Sequence, residues 1–174
     1  MIKIEIGPGP KKIDSSWITL GVIGGNPAVD KQFEWGKDKM PYANNSVDLI
    51  YASHCLEHVI WHKTVDALKE AYRVLKPGGK LEIHVPDFKK IMEAYSKQEC
   101  GDPWRKFNDD GDFMTWINGR IFTYGGPGNL HYAVFDERYL IKQMKKAGFS
   151  NVVPGAVIRG ADHGVVNLSV TATK

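Results

Sequence analysis

Residues 75–87 read Leu75-Lys76-Pro77-Gly78-Gly79-Lys80-Leu81-Glu82-Ile83-His84-Val85-Pro86-Asp87. The Pro-Gly-Gly sequence in this stretch cannot continue a helix, and the apolar side chains after it alternate with polar ones, as they do in a strand. Before it, apolar side chains recur at helical spacing, at Val65, Leu68, Ala71, Tyr72 and Leu75. The sequence therefore predicts a helix, a reversal at residues 77–79 and a strand over residues 80–85.

The same alternation of strands and helices continues on both sides of this unit. Further strands are predicted at residues 1–6, 17–22, 33–35, 47–52, 152–158 and 165–173, and further helices at residues 87–95 and 136–147. This order favours a doubly wound α/β sheet that is mostly parallel, with one antiparallel strand at the end. Only ten residues, 7–16, separate the first two strands, so we expect a shortened first helix.

Composition and length favour one globular domain over residues 1–174. Hydrophobic residues make up 43% of the chain and charged residues 25%, which is ordinary for a globular protein, and the formal net charge is only +3. No run of like charges predicts a nucleic-acid partner, and no apolar stretch is long enough to predict a membrane partner. We therefore expect a cytoplasmic location, with Cys55 and Cys100 as reduced thiols. The oligomeric state is not predicted.

Three separate segments carry further motifs, in order along the chain. The first strand runs into the glycine turn Glu5-Ile6-Gly7-Pro8-Gly9, and the fourth predicted strand ends in His54-Cys55-Leu56-Glu57-His58. Residues 119–136, with Ala147-Gly148-Phe149 after them, carry a His…Phe-Asp…Ala-Gly-Phe pattern. Together these segments resemble the class I S-adenosylmethionine-dependent methyltransferases, specifically their small type 11-like family.

This resemblance implies a seven-stranded Rossmann-like sheet, S-adenosylmethionine as the cofactor and methyl transfer to a small-molecule acceptor. It implies that the turn after the first strand holds the amino acid end of the cofactor, and that His54 and His131 are the catalytic candidates on the acceptor side. It assigns no residue to a metal. The expected cofactor-binding residues are Glu5, Gly7, Gly9, Gly21, Tyr51, Ala52 and Ser53.

The chain departs from the family pattern where acidic side chains are expected to bind the ribose and adenine. Gly21 and Gly36 stand at those two positions, and Glu34 or Asp38 would substitute only if the loop were shifted. The lost hydrogen bonds would each cost about 1.5–3 kcal/mol of binding free energy. A binding protein with the methyltransferase fold but without turnover is therefore an alternative hypothesis.

The segment His54-Cys55-Leu56-Glu57-His58 also matches the H-x-x-E-H spacing of one class of zinc peptidase. A zinc hydrolase is thus a further hypothesis, although His54 closes a predicted strand and no second acidic ligand is evident. Under the methyltransferase hypothesis, Glu57 and His58 tie the following helix to the sheet.

Residues 101–130 form the one long segment of weak periodicity, rich in Gly, Asp and aromatic residues. Long segments of this kind in compact domains often cover a binding site, so we predict an inserted lid or acceptor-binding segment. Arg120, Tyr124 and His131 would then contact the acceptor; alternatively, His131 only caps the next helix.

Overall fold

The computed structural model describes residues 1–22, 26–99, 101, 111–123, 125–126 and 129–174. These residues form a seven-stranded sheet in the order β3-β2-β1-β4-β5-β7-β6. The strands are β1 (Lys3–Ile6), β2 (Trp17–Gly21), β3 (Lys31–Gln32), β4 (Val47–Ser53), β5 (Leu75–Pro86), β6 (Asn151–Pro154) and β7 (Asn167–Thr173).

The predicted mostly parallel sheet is confirmed. Strands β1 to β5 pair in parallel, whereas β7 is antiparallel to both β5 and β6. The strand order reverses at β1, because β2 and β3 lie on one side of β1, and β4 and β5 lie on the other. Ligands of open α/β sheets bind beside such a reversal, at the carboxyl ends of the strands.

Four α-helices lie in the described ranges: α1 (Thr64–Val74), α2 (Phe88–Lys97), α3 (Phe113–Ile121) and α4 (Glu137–Lys146). Asp136 caps α4 through its carboxylate, which accepts a hydrogen bond from the Tyr139 N–H at 2.6 Å. Gly148 follows α4 with φ +112°, the left-handed conformation expected after a helix end. None of the described helices is long and apolar enough to cross a membrane.

The boundaries differ from the predictions in several places, among them the strand expected at residues 152–158, which is Asn151–Pro154. The shortened first helix is absent, because residues 7–16 form only turns between β1 and β2. The strand expected at residues 33–35 lies at Lys31–Gln32, and the apolar side chains of Phe33 and Trp35, which follow it, are buried. Residues 77–79 belong to β5, which shifts register against β4 near its start.

Helix α3 was not predicted, and it lies in the segment that the sequence assigns to a lid. It packs on α2 in a second small core of Ile91, Phe113, Trp116, Ile117 and Val166. The apolar residues of α3 are spaced at i, i+3 and i+4, which is a helical signal that the polar surroundings obscure. Residues 102–110 lie outside the described ranges.

The strand residues of the main core lie on one face of the sheet, because they pair with one another across neighbouring strands, as Ile4 does with Ile50 and Ile50 with Leu81. The completely buried side chains on this face include those of Ile4, Ile50, Ala52, Leu81 and Ile83. Burial of such a side chain stabilises the fold by about 1.5–3 kcal/mol for the larger residues. This packing fixes the strand ends, and with them the loops that form the candidate site.

Candidate active site

A cavity of about 720 Å³ lies at the carboxyl ends of β1, β2 and β4, beside the reversal in strand order. Its floor comes from the strand ends and its walls from the loops that follow them. The lining residues include Ile6, Gly7, Pro8, Gly21, Val22, Asn26, Val29, Phe33, Glu34, Trp35, Gly36, His54, Cys55, His58, Val59 and Tyr132. The wall is largely apolar, with a few polar groups, as small-molecule sites usually are.

Gly7 lies on this cavity, and the position requires glycine. Its φ is +65°, and a Cβ atom there would lie 2.1 Å from Sγ of Cys55. The Gly7 N–H donates a hydrogen bond of 2.8 Å to the Leu20 carbonyl. The turn is therefore tightly built, but this N–H is already used within the protein and does not point to a free anion-binding cradle.

Glu5 and Gly9 do not line the cavity. The carboxylate of Glu5 accepts a hydrogen bond of 3.1 Å from the Ile13 N–H, so it holds the loop between β1 and β2. Burial raises the pKa of Glu5, although this hydrogen bond and Lys12 oppose that effect. The Gly9 carbonyl accepts a hydrogen bond of 3.1 Å from the side chain of Asn26. Both residues therefore stabilise the loops beside the cavity through hydrogen bonds but do not contact the cavity itself.

Gly21 and Gly36 both line the cavity, and Glu34 lies between them on the same wall. The Glu34 carboxylate is 2.6 Å from Nζ of Lys37, and the Asp38 carboxylate accepts a hydrogen bond from the Glu34 N–H at 2.7 Å. Asp38 therefore fixes the loop, while Glu34 is the acidic side chain on the cavity. Of the two substitutes that the sequence suggests, Glu34 lines the cavity and Asp38 does not.

Tyr51, Ala52 and Ser53, which the sequence predicts to bind the cofactor, do not line the cavity. Ala52 is fully buried in the main core, and Tyr51 packs against Trp17 at 6.2 Å between ring centroids. The Tyr51 hydroxyl accepts a hydrogen bond from the Arg159 N–H. Because these residues lie within the strand, their side chains face the covered sides of the sheet, and only the residues after Ser53 reach the cavity.

His54 is placed on the cavity in a left-handed backbone conformation, with φ +52°. Nδ1 lies 3.2 Å from Oε1 of Glu57, Nε2 lies 3.3 Å from Oδ1 of Asn167, and the ring stacks on His163 at 3.7 Å between centroids. A left-handed conformation is uncommon for a residue other than glycine and persists where the surroundings impose it. His54 is thus a rigidly positioned side chain.

His131 does not line this cavity but a neighbouring one of about 560 Å³. Tyr132 lines both cavities. The Tyr132 N–H donates to the Glu57 carbonyl at 2.7 Å, which attaches this segment to the end of β4. The second cavity is mainly aromatic and apolar, with Trp61, Phe88, Phe122, Tyr132, Phe135 and Tyr139 among its lining residues.

Glu57, His58 and His131 meet between the two cavities. Glu57 and His58 lie on a single 3₁₀ turn (Leu56–His58) directly after β4, so the H-x-x-E-H segment is not the continuous helix that a zinc peptidase requires. Burial would raise the pKa of Glu57, but His54, His58 and His131 outweigh this and leave that pKa below its usual value. Burial lowers the pKa of His131, which favours the neutral form of this imidazole.

The cysteines offer no nucleophile in the described residues. Burial, with Glu57 and Glu5 nearby, raises the pKa of the Cys55 thiol well above its usual value, and the thiol donates a hydrogen bond to the Ile6 carbonyl at 3.0 Å. Cys100 and Tyr124 lie outside the described ranges.

The sequence analysis missed Asn26, Val29 and Phe33, which lie on the loop between β2 and β3 and just after β3. The two strands to which these segments connect are parallel neighbours, so both segments return to the same edge of the sheet. The order of the strands alone, without any sequence motif, would have predicted that these segments lie at the cavity.

Residues 30–83 match the model of a family described as the methyltransferase domain. Over 103 residues the chain is 32% identical to an uncharacterized methyltransferase-like protein of Schizosaccharomyces pombe; the match covers 55% of this chain and 36% of that protein. The chain spans about half the length, or less, of the curated relatives it matches.

Solved structures with the same fold include an S-adenosylmethionine-dependent methyltransferase from Archaeoglobus fulgidus, at a TM-score of 0.62, 11% identity and coverage of 99% of this chain and 85% of that one. Another is the Burkholderia thailandensis 1,6-didemethyltoxoflavin-N1-methyltransferase, solved with bound S-adenosylhomocysteine, at a TM-score of 0.57, 16% identity and coverage of 99% and 70%. Residues 30–83 therefore carry the match to the methyltransferase-domain family, and the described residues share the fold of these solved methyltransferases.

Proposed function

We propose that this chain binds S-adenosylmethionine in the 720 Å³ cavity and transfers its methyl group to a small-molecule acceptor. The observation that carries the proposal is the position of this cavity, at the carboxyl ends of β1, β2 and β4 and beside the reversal in strand order. The cofactor, when bound, supplies an activated methyl group on a sulfonium, so the protein has mainly to align donor and acceptor.

The residues on the cavity suit such a molecule. Val29, Phe33 and Val59 provide an apolar wall for a nucleobase, and Glu34 provides a carboxylate for hydroxyl or amino groups. Gly7 and Pro8 keep the strand end free of long side chains, which leaves room for the amino acid end. We propose Glu34 as the acidic cofactor ligand in place of the residues expected at positions 21 and 36.

The second cavity is the proposed acceptor site. It shares Tyr132 with the first cavity, and its aromatic lining favours an acceptor with an apolar or aromatic body. His54 is proposed as an acceptor-orienting group at the junction, held by Asn167 and by the charge of Glu57. A base is needed only if the acceptor loses a proton of high pKa during transfer.

Titration calorimetry with S-adenosylhomocysteine tests the cofactor site. We expect the wild-type protein to bind, and Glu34→Gln to weaken binding about 10- to 100-fold, which corresponds to a lost charged hydrogen bond. Glu93→Gln is the matched control, because Glu93 is also a surface glutamate beside a lysine but lies on α2, outside the cavity. Equal affinities for wild type and Glu34→Gln would refute the role of Glu34, and no binding by wild type would refute the proposed function.

Gly21 and Gly36 favour a second candidate, binding without turnover, because neither offers a side chain to the cofactor. The two candidates differ in whether product forms. When the protein is incubated with S-adenosylmethionine and a small-molecule extract of cells, an enzyme accumulates S-adenosylhomocysteine. Tight cofactor binding without any product in extracts of several sources would favour the second candidate.

A further inference from the structure

Three side chains lie together at the junction of the two cavities. Glu57 and His58 follow β4, and His131 comes from the segment after α3. One ligand atom of each residue lies within 4.8 Å of the others. Carboxylate oxygens and imidazole nitrogens are the donors that bind zinc and related divalent ions.

The hydrogen bonds of the two histidines leave one ring nitrogen of each available to bind a metal ion. Nδ1 of His58 lies 3.0 Å from the Leu130 carbonyl, and Nδ1 of His131 lies 3.2 Å from the Arg120 carbonyl. A carbonyl oxygen only accepts, so each Nδ1 carries the proton and each Nε2 keeps its lone pair. Histidines that bind metals usually donate their other N–H to a carbonyl or carboxylate in this way.

Glu57 gives the second, independent observation. Its side chain is only 1% exposed, and neither carboxylate oxygen has a well-formed hydrogen bond to any described residue. Oε1 lies 3.2 Å from Nδ1 of His54, whereas Oε2 has no hydrogen-bond partner among the described residues. A buried, unsatisfied carboxylate is costly unless a cation compensates it.

We propose that Glu57, His58 and His131 bind one divalent transition-metal ion of the zinc class. Ligand atoms around a tetrahedral zinc ion with bonds of about 2.0–2.1 Å lie about 3.3 Å apart. The three ligand atoms lie within 4.8 Å of one another, so side-chain rotations that bring them up to about 1.5 Å closer together would complete the site. Three protein ligands leave one position open. His58 lines the cofactor cavity and His131 the acceptor cavity, so the open position is accessible to a small molecule.

This site is not the one that the H-x-x-E-H spacing suggests. His54 lies beside Glu57 and would orient its carboxylate without binding the metal ion. The third ligand is His131, which is distant from this segment in the sequence. The site also does not depend on the cofactor, because its three residues are assembled by β4 and the backbone hydrogen bond from Tyr132 to Glu57.

Metal content and affinity test the site in the full chain, stripped with a chelator and then titrated with zinc chloride alone. We expect one zinc ion per chain in wild type, and affinity at least about tenfold lower in His58→Gln and in His131→Gln. His62→Gln is the matched control, since His62 is exposed on the next 3₁₀ turn and is not part of the cluster.

Zinc should also raise the melting temperature of wild type and His62→Gln, but much less that of His58→Gln and His131→Gln. Circular dichroism of each variant without metal shows whether it has folded, and Glu57→Gln gives a third variant if one histidine variant fails to fold. No stoichiometric zinc in wild type, or unchanged affinity in the folded ligand variants, would overturn the proposal. Both results are obtained without S-adenosylmethionine, so failure of the metal site is distinguishable from failure of the proposed function.

Discussion

At the scale of single residues, Gly7 is the position where sequence and geometry agree most closely. The turn after β1 needs a left-handed residue there, and Cys55 packs against the backbone with no room for a side chain. Gly7, which the motif predicts as a cofactor-binding residue, is therefore also required for packing against Cys55.

Gly7→Ala is expected to lower the free energy of unfolding by about 1–3 kcal/mol or more, because it combines a strained φ with overpacking. Gly9→Ala is the control, since a Cβ atom at Gly9 meets no other atom within 4 Å. Urea unfolding of both variants measures the difference. Equal stability of the two variants would mean that the turn relaxes at little cost.

At the scale of elements, two of the helices are bounded by local end caps. Asp87 and Asp136 cap α2 and α4, and Gly148 ends the turn after α4. Helix starts depend on a few neighbouring residues, and a short polar side chain followed by an apolar periodicity specifies them locally. Strand ends were less well predicted, because pairing partners decide where β3 and β5 begin.

Asp136→Ala is expected to destabilise the protein by about 1 kcal/mol, through loss of the hydrogen bond to the Tyr139 N–H. Asp136→Ser keeps a side-chain oxygen at the cap and should recover most of this loss. Thermal unfolding of the two variants makes the comparison. If serine and alanine were equally destabilising, the cap would not be the source of the effect.

At the scale of the whole molecule, the loop before β7 brings His163 onto His54 across the sheet edge. Burial, with the charge of His54, lowers the pKa of His163 from 6.5 to about 4, with smaller effects from Glu57, Arg120 and His84. The unfolded chain therefore binds a proton at His163 between these two pH values, and the folded chain does not. Stability contributed by this residue is lost as the pH falls through that window.

The free energy of unfolding should accordingly decrease between about pH 7 and about pH 5, and His163→Gln should decrease less. Denaturant unfolding at the two pH values, with a chelator present, measures both slopes. His62→Gln serves as the comparison, because His62 is exposed. Identical slopes for wild type and His163→Gln would show that His163 titrates normally in the folded protein.

The sequence by itself determined the alternation of strands and helices, the glycine turn and the residues that end β4, because these follow from local periodicity and turn chemistry. From them came the fold class, and three of the residues that the sequence indicates for the site, Gly7, Gly21 and His54, line the cavity. Only the tertiary structure decided that Tyr51 and Ala52 belong to the core, that Glu34 faces the cavity, and that His131 meets Glu57. Those outcomes depend on which strands pair and which loops return to the same sheet edge, and no local stretch of sequence contains that information.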